Sequence, residues 1–296
     1  MRQRDPRTGR PVGAPAPAAA GSGGPLVVRG AHAWSAPPPA GPALVDGVRV
    51  GALVLHGFTG SPASVRPWAQ GLHEAGAEVA VPRLPGHGTS VEDLDRSSWR
   101  DWYSLARADL HLLRARCDVV VVAGLSMGGA LALRLAAREE DAVDALALVN
   151  PAVLLGDPRL AALPLLRLVR RSVPGVASDI AAPGRDEIGY DRVPLRALAS
   201  FVELMAGVRA DLSRVHQPVL VASSRTDHVV PPTSAARVRE GVSSRDVRDV
   251  RLERSFHVAT LDHDLPVVVE ETLRLARDVA GDRAGTATGT RAGAPA

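Results

Sequence analysis

Four consecutive valines, Val119–Val122, run into Gly124-Leu125-Ser126-Met127-Gly128, and an Ala/Leu-rich stretch, Met127–Arg138, follows at once. These three features in register restrict the possible folds more than anything else in the chain. A β-branched run this apolar predicts a strand buried on both faces, as in a parallel sheet covered by helices. Ala and Leu are strong helix formers, so the stretch after the glycines predicts a helix. Between them, G-x-S-x-G predicts a strand-to-helix turn that strains the backbone at Ser126 and lifts its hydroxyl clear of the sheet. A Cβ at either flanking glycine would crowd that turn. The plain alternative is a tight turn that happens to hold a serine.

The same alternation runs through most of the 296 residues. Strands are expected at Val48–Leu55, Glu78–Val81, Asp118–Ala123, Val143–Val149, Val219–Ala222 and Val247–Leu252. Helices are expected at Pro62–Glu74, Ser98–Arg116, Met127–Arg138, Thr233–Glu240 and Leu265–Ala280. Such a rhythm implies an α/β chain with a mostly parallel central sheet and helices on both faces. It breaks between Pro151 and Val208, where the chain is apolar, Arg-bearing and without a strand signal. Residues 151–208 are therefore expected to form a helical cap between two parts of one core, 46–150 and 209–281. A cap inserted there covers the carboxyl ends of the strands, where open α/β sheets bind ligands. Residues 1–45 and 282–296 are rich in Pro, Ala, Gly or Thr and read as disordered tails. The first of these also fits sequence ahead of the natural start.

A serine hydroxyl needs a base to take its proton, and histidine suits because it titrates near neutrality. On a strand–elbow–helix scaffold the partners follow in the order serine, acid, histidine. His257 lies just after the strand Val247–Leu252, and Asp227 just after Val219–Ala222. Asp227 would hold the imidazole in the right tautomer. His263, beside Asp262 and Asp264 at the start of the last helix, competes with His257 but suits capping or surface exposure better. Asp211 precedes its strand, and topology disfavours it. A loop aspartate and a surface histidine are the plain readings of Asp227 and His257. The oxygen of a tetrahedral intermediate needs two preorganised donors. The backbone N–H groups of Met127 and of Phe58, in the loop His56-Gly57-Phe58-Thr59-Gly60, are the candidates. His56 is expected to be structural.

The basic residues are all arginine, and the formal net charge is +3. Residues 1–50 hold six Arg and two Asp, or +4, which leaves 29 Arg against 30 acids, or −1, for the rest. The folded part lacks the basic footprint of a nucleic-acid binder. A single cysteine, Cys117, excludes an intrachain disulfide, and the N-terminal Ala/Pro/Gly stretch lacks a secretory h-region. A cytoplasmic location is expected. Gly86-His87-Gly88 has no neighbours at metal-ligand spacing, so no metal is expected.

Taken together, His56–Gly60, Leu84–Gly88, Gly124–Gly129, Asp227 and His257-Val258-Ala259-Thr260-Leu261-Asp262 resemble the small bacterial carboxylesterases and monoacylglycerol lipases of the α/β-hydrolase superfamily. The likeness spans about residues 46–280 and is weakest over Val153–Arg192. It implies the α/β-hydrolase fold with a triad of Ser126, Asp227 and His257 and with Phe58 and Met127 as oxyanion donors. It also implies hydrolysis of short- to medium-chain esters or monoacylglycerols through an acyl-enzyme, with no cofactor. Turnover should fall below about pH 6–7 as the histidine protonates. The same triad would serve a thioesterase, a lactonase, a peptidase acting at N-termini or a cofactor-free haloperoxidase. The fold also occurs in binding modules without activity. Arg159–Arg171 mixes Leu with Arg as an interfacial helix does, but Pro164 interrupts it, so membrane contact is expected to be weak and peripheral at most. Oligomeric state is not legible.

Overall fold

The computed structural model describes residues 26–292 apart from Pro42 and Ala177. The tails at 1–25 and 293–296 lie outside the described residues. Seven strands form one sheet: β1 (Trp34–Ala36), β2 (Val50–Leu55), β3 (Glu78–Val81), β4 (Val119–Leu125), β5 (Ala145–Val149), β8 (Val219–Ser224) and β9 (Val247–Leu252). Their order is β1-β3-β2-β4-β5-β8-β9, with only β1 antiparallel.

The valine run shows why the sheet is buried on both sides. Successive side chains of a strand point to opposite faces. Val120 and Val122 pack into a core with Leu53, Leu55, Leu146 and Leu148. That core is closed by α2 (Val91–Arg96), α3 (Trp99–Arg114), α4 (Met127–Arg138) and α7 (Pro232–Gly241). Val119 and Val121 pack on the other face, under α1 (Arg66–Glu74) and α8 (Leu265–Ala292). There the Trp68 indole N–H donates to Thr272 Oγ1 at 3.1 Å and fastens α1 to α8. No helix among the described residues is long and apolar enough to cross a membrane.

Three boundaries differ from the sequence-based expectation. Part of the segment expected to be a tail, residues 1–45, is built into the fold: β1 pairs with β3, and Ala31 is fully buried. A three-residue strand among prolines has no readable period. The segment expected to be a helical cap, residues 151–208, is not purely helical, and its last helix runs on to Asp211. Besides α5 (Leu163–Val169) and α6 (Leu195–Asp211) it holds a two-stranded antiparallel ribbon, β6 (Ser172–Pro174) with β7 (Arg192–Pro194). Pro164 does not break a helix but begins one, in the first turn of α5, where its missing N–H costs nothing. At the other end α8 continues to Ala292, through residues expected to be a tail, because no proline intervenes before Pro295.

The sheet order sets the place of the site. From β2 the chain passes to β3 on one side and then crosses to β4 on the other, so a crevice opens at the carboxyl ends of β2 and β4. Leu55 at the end of β2 is in register with Gly124 on β4. The loops that follow these two strands must therefore lie side by side.

Candidate active site

Ser126 sits at the turn between β4 and α4 with φ 55° and ψ −114°, a strained conformation for a non-glycine residue. Its amide donates to Val149 O at 2.9 Å, and its carbonyl accepts from Ala152 at 3.1 Å, so β5 holds the turn. The glycines are dictated by space. A Cβ on Gly124 would lie 2.3 Å from the Gly128 carbonyl, and one on Gly128 would lie 2.1 Å from Leu55 O. Helix, elbow and β2 are in direct backbone contact, which only glycine permits.

The loop after β2 lies against the elbow, and a Cβ on Gly57 would stand 3.5 Å from Ser126 Cβ. Met127 is the first residue of α4, so its amide has no helical carbonyl to donate to. The Phe58 ring packs against Phe201 of α6 at 5.3 Å and Trp102 of α3 at 5.8 Å between centroids, anchoring its backbone. His56 is a strut. Its Nδ1–H donates to Gly57 O at 2.9 Å, and its Nε2 accepts from the Leu84 amide at 3.2 Å. Accepting from Leu84 requires the neutral ring, and burial pushes its pKa down to about 4. His87 packs edge-on against His56 and is also held neutral by burial, then by the neighbouring His56. Among the described residues no group of His, Cys, Asp and Glu is arranged to hold a metal ion.

Asp227 and His257 meet although 30 residues separate them. His257 Nδ1–H donates to Asp227 Oδ2 at 2.8 Å, and both side chains are buried. Asp227 Oδ1 accepts from the amides of Val229 and Val230, each at 2.8 Å. Burial raises the Asp227 pKa, but the bonds from His257, Val230 and Val229 outweigh it and hold the carboxylate below its usual range. An ionised Asp227 accepts the hydrogen bond from Nδ1–H and keeps the proton on that nitrogen, which leaves Nε2 bare as the basic nitrogen. Asp211 is elsewhere, paired with Arg134 and Arg138 of α4. His263 lies in the turn before α8, where its amide donates to Asp262 Oδ1 at 2.8 Å.

Several residues that complete the site carry no sequence signal. Asn150, at the end of β5 with φ 45°, donates from Nδ2 to His257 O at 2.8 Å and accepts from the Ser224 amide at 2.8 Å. Asp179, from the cap, accepts from the His257 amide at 3.1 Å and from His228 Nδ1 at 2.7 Å. Asp262 accepts four backbone amides: Ala181 and Ala182 from the cap, Phe256, and His263. Burial opposes its charge, but these four donors prevail and lower its pKa. Glu187, also from the cap, accepts from Ser64 Oγ at 2.6 Å, and burial of its carboxyl raises its pKa. Tertiary contact alone reveals Asn150, Asp179 and Glu187. Asp262 is foreshadowed only by its place in the histidine segment.

Known proteins are similar to the chain over most of its length. The family model described as Hydrolase_4, serine aminopeptidase S33, matches residues 49–264. The chain is 39% identical over 237 residues to a thermostable monoacylglycerol lipase of Bacillus sp. strain H-257, covering 78% of this chain and 92% of that one. It is 25% identical over 222 residues to a carboxylesterase of Bacillus subtilis strain 168, covering 74% and 89%. Among solved structures, one from work on two metagenome-derived lipolytic enzymes, LipS and LipT, superposes with a TM-score of 0.80 at 37% identity. That match covers 86% of this chain and all of the other.

Proposed function

Because the chain belongs to the serine aminopeptidase S33 family, within the esterase and monoacylglycerol lipase group of α/β-hydrolases, we propose that it hydrolyses monoacylglycerols and related esters through an acyl-enzyme on Ser126. It is a serine ester hydrolase. The observation that carries the assignment of roles is the buried 2.8 Å bond from His257 to Asp227, in a chain whose Ser126 occupies a strained elbow.

The steps follow from the groups present. Ser126 Oγ attacks the ester carbonyl while His257 Nε2 takes its proton. Asp227 stabilises the resulting imidazolium without itself becoming protonated. The carbonyl oxygen gains negative charge and is met by the amides of Phe58 and Met127; losing one such donor typically costs about 10²–10³ in rate. The imidazolium returns its proton to the departing alcohol. Water, deprotonated by the same nitrogen, then releases the acid and restores Ser126.

Two features support an alcohol with free hydroxyls. Glu187 brings an enclosed carboxyl beside the oxyanion loop, close enough to His257 to interact electrostatically. Only its Oε1 is engaged by a hydrogen bond among the described residues. The 39%-identical Bacillus relative is named for monoacylglycerols.

The test compares wild type and Ser126→Ala on a p-nitrophenyl ester, a monoacylglycerol, an acyl thioester, a lactone and an amino-acid p-nitroanilide. Wild type should turn over the first two fastest and label with a fluorophosphonate, and the variant should do neither. Undiminished ester turnover by Ser126→Ala would overturn the assignment. A clear preference for the thioester, lactone or anilide would overturn the substrate class.

A further inference from the structure

The central sheet ends on an open edge. β9 pairs with β8 and with no other strand among the described residues. The Val219 amide donates to Asp246 O and the Arg225 amide to Leu252 O, both at 2.8 Å. Backbone groups of successive residues point to opposite sides of a strand, so those of Arg248 and Val250 also face β8. The N–H and C=O groups of Val247, Asp249 and Arg251 then face outward, and among the described residues nothing bonds to them. Such a row of bare backbone groups is a template for another strand.

The side chains on this edge say which strand it fits. Asp249 and Arg251 are in register with Val221 and Ser223 of β8, so they share the face of the sheet that α7 covers. Arg239 of α7 donates to Asp249 Oδ1 at 3.0 Å, but the Asp249 side chain stays 55% exposed and its Oδ2 accepts no bond among the described residues. Arg251 is exposed and has no ion pair among the described residues. Between them Val250, partly buried, turns to the α8 face. We propose that β9 pairs antiparallel with β9 of a second copy of the chain, about a two-fold axis at Val250. Asp249 of each copy then stands opposite Arg251 of the other, and these residues exchange backbone N–H···O bonds on both sides of the axis.

Geometry and charge select the register. A two-fold interface pairs a surface with itself. An antiparallel pair matches outward-facing residues only with outward-facing ones, so the axis passes through a residue and not between two. Centred on Arg248, Asp249 or Arg251, it would set that charge against itself, which destabilises a pair. Centred on Val250, it sets acid against base twice and valine against valine. Arg248, the other charge of the strand, then comes opposite Leu252, and its own copy already supplies partners in Asp246 and Asp278. An unrelated strand could use the bare backbone groups, but an acid and a base flanking a central valine complement their own copy. The two-fold reverses the strand direction, so the carboxyl ends of the two sheets, and with them the two crevices, lie at opposite ends of the joined sheet. β9 runs directly into the loop that carries His257, so pairing also steadies the base of that loop. The inference does not rest on the ester reading, since association is measured without turnover.

The experiment is sedimentation equilibrium of the full chain over a range of concentrations. Wild type should show a monomer–dimer equilibrium, since the shared edge is short and the dimer should dissociate on dilution. Asp249→Arg sets Arg against Arg, and Arg251→Asp sets Asp against Asp, so each variant alone should dimerise at least about tenfold more weakly. Mixed in equal amounts, the two variants should associate, because each then meets the opposite charge at both positions. The double variant Asp249→Arg/Arg251→Asp should dimerise by itself. All three should keep the far-UV circular dichroism of wild type, which shows that they fold. A wild type that stays monomeric at every concentration, single variants that dimerise as well as wild type, or a mixture that does not associate would overturn the proposal.

Discussion

The amide of His257 donates to the carboxylate of Asp179 at 3.1 Å, so a residue of the cap holds the backbone of the loop that carries the histidine. The same carboxylate takes the side chain of His228, one residue after Asp227. Asp179 thus ties the acid loop and the histidine loop to the cap. Asp179→Ala should lower kcat about tenfold with little change in KM, since the bond acts through the placement of His257 rather than on substrate. Steady-state kinetics on a soluble ester decides this. A loss confined to KM would mean that Asp179 contacts substrate instead.

Asn150 does two things at once, and two variants separate them. Its backbone sits at φ 45°, which Asn and Gly tolerate better than Ala, and its amide joins His257 O to the Ser224 backbone. Asn150→Gly should lose the buried bonds, about 1–3 kcal/mol by urea denaturation. Asn150→Ala should lose these and about 1 kcal/mol more from backbone strain. Equal stability of the two variants would show that the backbone conformation costs nothing.

Gly128 leaves no room for a side chain. Its Cβ would stand 2.1 Å from Leu55 O and 2.9 Å from His56 O, both main-chain atoms that cannot rotate away. Gly128→Ala should push α4 off β2, abolish fluorophosphonate labelling and destabilise the chain by several kcal/mol, on the order of other overpacked cores. Labelling at the wild-type rate would show that the elbow tolerates the shift.

Acid should destabilise the protein well above the carboxylate range. Folded His56 has a pKa of about 4 because burial disfavours its charge, whereas the unfolded chain returns it to 6.5. Between these values the unfolded state binds a proton that the native state refuses, so stability falls as pH falls from about 6.5 to 4. The full effect is on the order of 3 kcal/mol, and His87 acts in the same direction. Below that window Asp227 and Asp262, whose native pKa values are depressed, lose their charge and add to the loss. Chemical denaturation at pH 7 and pH 4.5 should show the drop, and His56→Gln should show a shallower one.

What the linear sequence determined is whatever depends on short-range pattern. Val119–Val122 between two faces of side chains can only be a doubly buried strand, and the glycines around Ser126 can only serve a turn in backbone contact with its neighbours. Asp227 and His257 stand out for the same reason, because each lies a few residues beyond a strand of readable period. The tertiary structure decided what depends on partners far along the chain. Asp179 meets His257 across 78 residues, and Asn150 across 107, through loop hydrogen bonds that have no period to betray them. The strands Trp34–Ala36, Ser172–Pro174 and Arg192–Pro194 are three residues each, too short for alternation to register, and they exist because a longer edge or each other completes their hydrogen bonds. The strained elbow that singles out Ser126 is thus written locally. How firmly its histidine is held, and what surface the cap presents, follow only once the chain has folded back on itself.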